Sequence, residues 1–144
     1  MQVVTTLKTG SWNELGTDAM QVRNPVFVIE QNVPVEQEID NDDAVSLHAV
    51  IYNEHGEPVA TGRLLPDGHI GRMAVLENYR RLGLGARLLL GLTDEARRRG
   101  LMEVIVSAQV YACAFYEKAG FTVVGEPYIE VGIKHVRMRR ALTM

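Results

Sequence analysis

The sequence predicts a single α/β domain of the α+β kind, and three observations carry that reading. At 144 residues with 47% hydrophobic content, the chain can bury one substantial core and is too short for two comfortable ones. Apolar patterns run in the order helix, three strands, helix, strand, helix, strand, strand, with no repeat, low-complexity tract or linker among them. The turn Arg80-Arg81-Leu82-Gly83-Leu84-Gly85 lies between the short extended run Arg72-Met73-Ala74-Val75 and a leucine-rich amphipathic helix.

Residues 3–7 read as a first strand, and residues 12–22 as a helix interrupted or restarted around Pro25, whose ring removes an amide donor. Residues 46–53 and 58–65 alternate as two antiparallel strands joined through Glu54-His55-Gly56-Glu57. Pro66-Asp67-Gly68 makes a second turn, and residues 69–75 the third strand of a meander. Over residues 83–99, Leu84, Leu88, Leu92 and Ala96, flanked by Leu89, share one face, with Arg87, Arg97 and Arg98 outside it; Gly100 ends the helix. Residues 102–107 are mostly apolar and β-branched, as in a buried strand. A short helix around Tyr116, a strand from Phe121 and a last strand over residues 134–140 complete the order.

The turn at 80–85 is built to present backbone N–H groups to an anion. Gly83 and Gly85 allow a tight turn and a close approach, and the amides of the first helical turn point outward. The helix dipole, Arg80 and Arg81 add positive charge, so a phosphate or pyrophosphate is the expected guest. A Walker A loop needs Lys and then Ser or Thr, where this chain has Ala86-Arg87; a dinucleotide fingerprint needs a third small residue, where it has Leu88.

Arg-x-x-Gly-x-Gly, reached from a strand ending in Ala-Val and followed by a helix, resembles the pyrophosphate loop of the GCN5-related N-acetyltransferases (GNAT). Ala112-Cys113-Ala114-Phe115-Tyr116-Glu117-Lys118-Ala119-Gly120-Phe121 resembles the second signature of that family, in which a short helix carries a Tyr toward the cofactor sulfur. Val26-Phe27-Val28-Ile29-Glu30-Gln31-Asn32-Val33-Pro34, with Glu36, Glu38 and Asp40 behind it, looks like the N-terminal region of a bacterial subgroup of the ElaA and YjcF type. Gly132-Ile133-Lys134-His135-Val136-Arg137-Met138 resembles the ending of that subgroup, with Lys134 where Pro is usual.

The resemblance implies a central mixed, mostly antiparallel sheet flanked by helices and splayed between the fourth and fifth strands, with acetyl-CoA as co-substrate and no metal. Pantetheine would lie in the splay along Met73, Ala74 and Val75, its amides pairing with backbone at Met73 and Val75. Pyrophosphate would sit on the N–H groups of Leu82, Gly83, Leu84, Gly85 and Ala86. Arg80 would anchor the loop or the phosphates, and Arg81, Arg87 and Lys118 are candidates for the 3′-phosphate. Phe115 accompanies Tyr116, which matches the family position for protonating the departing thiolate. The Glu that many members carry on the third meander strand as base has no counterpart among His69, Gly71 and Arg72. His135, then Glu30 and His48, are the candidates for that role.

The remaining features bound the partners. Net charge is −3, which disfavours nucleic acid. No apolar run approaches the roughly 20 residues that cross a bilayer, and Met1-Gln2-Val3-Val4 does not resemble a signal peptide, so a cytoplasmic protein is expected. Cys113 is the lone cysteine and reads as structural, without an activating partner pattern. Between residues 24 and 62 there is no Lys or Arg but eight Asp and Glu: Glu30, Glu36, Glu38, Asp40, Asp42, Asp43, Glu54 and Glu57. That run reads either as an acidic mouth for a cationic amine or as a solvated loop. The expected activity is N-acetyl transfer from acetyl-CoA to an amine acceptor, with a non-catalytic acyl-CoA sensor as the alternative and a homodimer left open.

Overall fold

The computed structural model describes residues 4–142. Strand β1 (Thr6–Gly10) leads into helix α1 (Trp12–Arg23), whose start is fixed by a capping box. The Glu14 N–H donates to Ser11 Oγ at 3.3 Å, and the Ser11 N–H donates to Glu14 Oε1 at 3.0 Å. At Pro25 the helix restarts in a wider form: residues Asn24–Glu30 make a π-helix, with the Gln31 N–H reaching the Val26 carbonyl at 3.1 Å. Widening to i→i+5 bonds accommodates a ring that cannot donate. A short α2 (Val35–Glu38) and a 3₁₀ turn (Asn41–Val45) follow.

Strands β2 (Leu47–Tyr52), β3 (Pro58–Leu64) and β4 (Ile70–Val75) form the meander, and β1 adds antiparallel to β2, giving the order β1-β2-β3-β4. The first strand lies further along than expected. Its register, from Thr6 opposite Tyr52 to Gly10 opposite His48, is set by β2 and not by the local β-branched run; Val3 lies outside the described residues. After α3 (Leu84–Arg98) come β5 (Glu103–Gln109), α4 (Cys113–Lys118), β6 (Thr122–Glu130) and β7 (Ile133–Ala141), with antiparallel order β5-β7-β6.

The two sheets touch at one end. His69 and Ile105 form a parallel bridge, and the Ile105 N–H donates to the Gly68 carbonyl at 3.0 Å. Gly68 sits at φ +99°, and a Cβ there would lie 2.6 Å from the Glu103 carbonyl oxygen, so only glycine permits this approach. Beyond the bridge β4 and β5 share no ladder among the described residues. The splay expected between the fourth and fifth strands is therefore present.

Two helices cover opposite faces of the first sheet. Val50 packs with Leu15 and Ala19 of α1, while its neighbours Ala49 and Ile51 pack in the cluster that holds Leu84, Leu88, Leu89, Leu92 and Ala96 of α3. This is the period-two alternation of a strand buried on both sides. Leu88, Leu92 and Ala96 are wholly buried. At the far edge, all nine residues of β6 are exposed.

Part of the acidic run is drawn into the fold: Glu38, Asp40 and Asp43 meet arginines, while Glu36, Asp42, Glu54 and Glu57 remain exposed. Arg23 reaches Glu38 through Nε, and its two terminal nitrogens donate to Asp43 at 2.8 and 3.1 Å. Arg63 grips Asp40 at 2.7 and 3.1 Å and Asp43 at 2.9 Å, while Arg72 donates to Asp40 at 3.2 Å. Three arginines thus neutralise three carboxylates, with Arg23, Glu38 and Asp43 each 1% exposed. Arg63 in particular holds Asp40 below the usual carboxylate range. Burial alone would push Asp43 up, yet Arg23 and Arg63 bring it down as well. The cluster ties α1 and residues 38–43 to β3 and β4, beside the opening of the sheets.

Candidate active site

The opening between the sheets is a cleft of about 470 Å³. Gly71, Arg72 and Met73 of β4 line one wall, Ser107 and Gln109 of β5 the other; Phe27 and Gln31 from the segment after α1 also line it, as do Tyr116, Glu130 and His135. An adjoining lobe of about 230 Å³ shares Phe27, Gln31, Arg72, Gln109, Glu130 and His135, and adds Glu38.

Strand β4 is bulged where it borders the cleft. Thr61 pairs with Ala74 and Arg63 with Gly71, so Arg72 and Met73 together face Gly62, and Arg72 adopts φ +49°. A bulge of this kind bends the strand and turns backbone away from its ladder. Nothing in the residue pattern of β4 announced it.

The glycine turn has the shape that its sequence suggested. Gly83 has φ +79° with open space where a Cβ would be, and Arg81 has φ +66°. The first bond of α3 runs from the Arg87 N–H to the Gly83 carbonyl at 3.1 Å, so the amides of Leu84, Gly85 and Ala86 precede the helical ladder. Phe115 closes against this turn, its Cζ 3.5 Å from where a Cβ of Gly85 would stand. Arg81, Leu82, Ala86 and Lys118 are exposed. These residues fit a phosphorylated ligand on chemical grounds: backbone donors and the positive end of a helix dipole stand at a turn that carries the exposed Arg81.

Arg80 holds the turn in place. Its Nε donates to the Val75 carbonyl at 2.9 Å, and one terminal nitrogen donates to both oxygens of Glu30 at 2.8 and 2.9 Å. Glu30 is therefore occupied by Arg80, and it is not among the residues lining the cleft with Tyr116 and His135.

Tyr116 stands on α4 with edge-on contacts to Phe115 and Phe121, at ring separations of 5.1 and 5.8 Å. Burial, and then the neighbouring Tyr111, push its phenol above the ordinary tyrosine value. The hydroxyl thus stays protonated at neutral pH. His135 comes from β7 and is 7% exposed. Its Nδ1 lies 2.7 Å from the Ile133 carbonyl oxygen; since a carbonyl only accepts, Nδ1 carries the proton and Nε2 presents its lone pair. His48 is wholly buried beside Trp12, with Nε2 2.9 Å from the Asp43 carbonyl, and burial pushes its imidazole down. It does not line the cleft.

Sequence reasoning missed Glu130, Ser107, Gln109 and Phe27. One signal was available: Ser107 and Gln109 follow the apolar run Val104-Ile105-Val106 at alternate positions, as residues facing an opening do. Among the described residues no group of three or more His, Cys, Asp or Glu is placed to hold a metal, and no helix is long and apolar enough to cross a membrane.

Two splayed antiparallel sheets, with a glycine-led helix and a tyrosine helix beside the opening, define an acyl-CoA N-acyltransferase. The chain belongs to the GNAT acetyltransferase family, whose "Acetyltransferase (GNAT) domain" matches residues 18–142. It is 39% identical over 127 residues to the uncharacterized N-acetyltransferase YjcF of Bacillus subtilis, covering 85% of this chain and 90% of the relative. An acyl-CoA N-acyltransferase from Pseudomonas aeruginosa superposes with a TM-score of 0.83 at 35% identity, covering 97% of this chain and 100% of that one. Escherichia coli ElaA superposes with a TM-score of 0.84 at 29% identity, over 95% of this chain and 99% of that one. The chain is thus a GNAT acyltransferase of the ElaA and YjcF type that uses an acyl-CoA co-substrate and an acceptor.

Proposed function

We propose that this acyltransferase moves an acetyl group from acetyl-CoA to a primary amine of a small molecule or peptide by direct attack on the thioester, within one domain. The observation that carries the reading is that Tyr116 and His135, a phenol and an imidazole whose Nδ1 is engaged by the Ile133 carbonyl, line one cleft at the splay. Backbone amides at Leu84, Gly85 and Ala86 receive the pyrophosphate, and the bulged strand at Met73 to Val75 receives the pantetheine amides. Arg81, Arg87 and Lys118 are the cations available to the 3′-phosphate.

An alkylammonium must lose a proton before it can attack, which at neutral pH costs about 4 to 5 kcal/mol. His135 Nε2 accepts that proton. The nitrogen lone pair then forms the C–N bond, the C–S bond breaks toward sulfur, and the Tyr116 hydroxyl protonates the departing thiolate. Tyr116 recovers its proton from the acylated nitrogen.

The test is thiol release from acetyl-CoA across a panel of alkylamines, diamines, amino-acid amides and lysine peptides, with CoA binding followed by calorimetry. Turnover of at least one amine is expected. Tyr116→Phe is expected to lower kcat by about 10²- to 10⁴-fold with little change in CoA affinity. Binding without turnover across the panel, together with an inert Tyr116→Phe, would overturn the reading in favour of an acyl-CoA sensor.

A further inference from the structure

One face of the β5-β7-β6 sheet surrounds His135 with a polar array to which the reaction above assigns no role. Register places Tyr128 opposite His135 on one side and Gln109 opposite it on the other. Ser107 and Glu130, two residues along their strands, fall on the same face. The Tyr128 ring stacks on the imidazole with centroids 6.1 Å apart. Ser107 Oγ donates to Glu130 Oε2 at 3.1 Å, which leaves the Tyr128 hydroxyl as donor to Ser107 Oγ. Both donors therefore run toward the Glu130 carboxylate, whose Oε2 stands 3.6 Å from His135 Nε2.

That last contact is asymmetric in charge. With its proton on Nδ1, the neutral imidazole turns a lone pair toward the carboxylate, and the pair attracts only after Nε2 gains a proton. We propose that Glu130, held by Ser107 and Tyr128, is the positioning residue for proton acceptance, compensating the imidazolium that His135 becomes when the acceptor ammonium gives up its proton. The inference rests on the reading of His135 as base. The ammonium N–H bond breaks with its electron pair left on nitrogen, a new N–H bond forms at His135 Nε2, and nothing is oxidised or reduced. The proton then leaves to solvent at the rim, where Glu130 is 51% exposed.

The other charged and titratable groups around the cleft leave this role to Glu130; Glu38, the other carboxylate lining the adjoining lobe, is committed to Arg23. On the same sheet Arg137 lies opposite Ser107, and Tyr128 is held as described. From the facing sheet come Arg63, Arg72 and His69; Arg63 and Arg72 are committed to Asp40, and His69 to Asp67 at 2.9 Å. Tyr111 and Tyr116 line the end after β5. Strand β4 contributes no carboxylate, so the acidic partner of the base comes from β6.

The test reads His135 directly. In the whole protein, the four histidine Cε1–H resonances are followed against pH by NMR, with His135 assigned by its loss in His135→Gln. Glu130→Gln, which removes the carboxylate 3.6 Å from Nε2, is expected to lower the His135 midpoint. Glu130→Asp, which keeps the charge and withdraws it by one methylene, is expected to shift it less and in the same direction. An unchanged His135 midpoint in both variants overturns the inference. In turnover with the fastest panel amine, Glu130→Gln is expected to lower kcat about tenfold, part of what a general base supplies, leave KM for acetyl-CoA unchanged, and move the acidic limb to lower pH. If no amine turns over, the proposed activity falls while the NMR titration still decides the role of Glu130.

Discussion

Asp43→Asn should cost this fold far more than its size suggests. The carboxylate accepts from both terminal nitrogens of Arg23 at 2.8 and 3.1 Å, from Arg63 at 2.9 Å and from the Asp40 N–H at 3.3 Å, at 1% exposure. Asparagine keeps the shape but removes the charge and turns N–H donors toward a guanidinium. Breaking a buried pair on one side leaves an uncompensated ion, at about 3 to 5 kcal/mol. Asp42→Asn is the matched control, since Asp42 is 53% exposed and 4.0 Å from Arg63, and exposed pairs contribute about 0 to 1 kcal/mol. Urea unfolding followed by circular dichroism at pH 7 would measure both. Because the folded state lowers the Asp43 carboxyl, its stabilisation is complete above the unfolded carboxylate value of about 3.9 and is lost as pH falls through the lower folded value. The gap between wild type and Asp43→Asn should therefore close in acid. Equal, small losses for the two variants at pH 7 would refute the claim that the cluster is energetically buried.

Leu92→Ala deletes a wholly buried side chain between α3 and the sheet and should lower stability by about 2 to 5 kcal/mol, read from the same urea curves. Gly83→Val places a β-branched residue at φ +79°. It should weaken CoA binding at least tenfold by calorimetry, with a stability loss of about 1 to 3 kcal/mol; undiminished affinity would remove the turn from the cofactor site.

How legible the molecule was depends on whether a feature is local. The α3 stripe, the two turns of the meander and the glycine turn are local, and they appear where the residue pattern places them. The start of β1 is not local, because its register is dictated by β2. Arg23 lies on α1, 15 residues from Glu38 and 20 from Asp43, so a stretch without Lys or Arg looked uncompensated until the fold brought Arg23, Arg63 and Arg72 to it. The same holds at the site. Tyr116 and His135 were readable from motifs, whereas Glu130 joins them only through the β6–β7 register, and the bulge at Arg72 and Met73 depends on how β3 and β4 pair.

Arg80 acts on the entropy of the glycine turn as well as on its shape. By fastening Glu30 and the Val75 carbonyl with one side chain, it links the backbone around the glycine turn to the segment carrying Phe27 and Gln31. Each of these exposed bonds is weak, but together they restrict the turn before any anion arrives. If the turn seats the diphosphate as proposed, its association forfeits less disorder, and the affinity reflects its contacts more nearly than the tightening of a loop. High ionic strength, by loosening the Arg80–Glu30 pair, would return part of that entropic burden to the binding step.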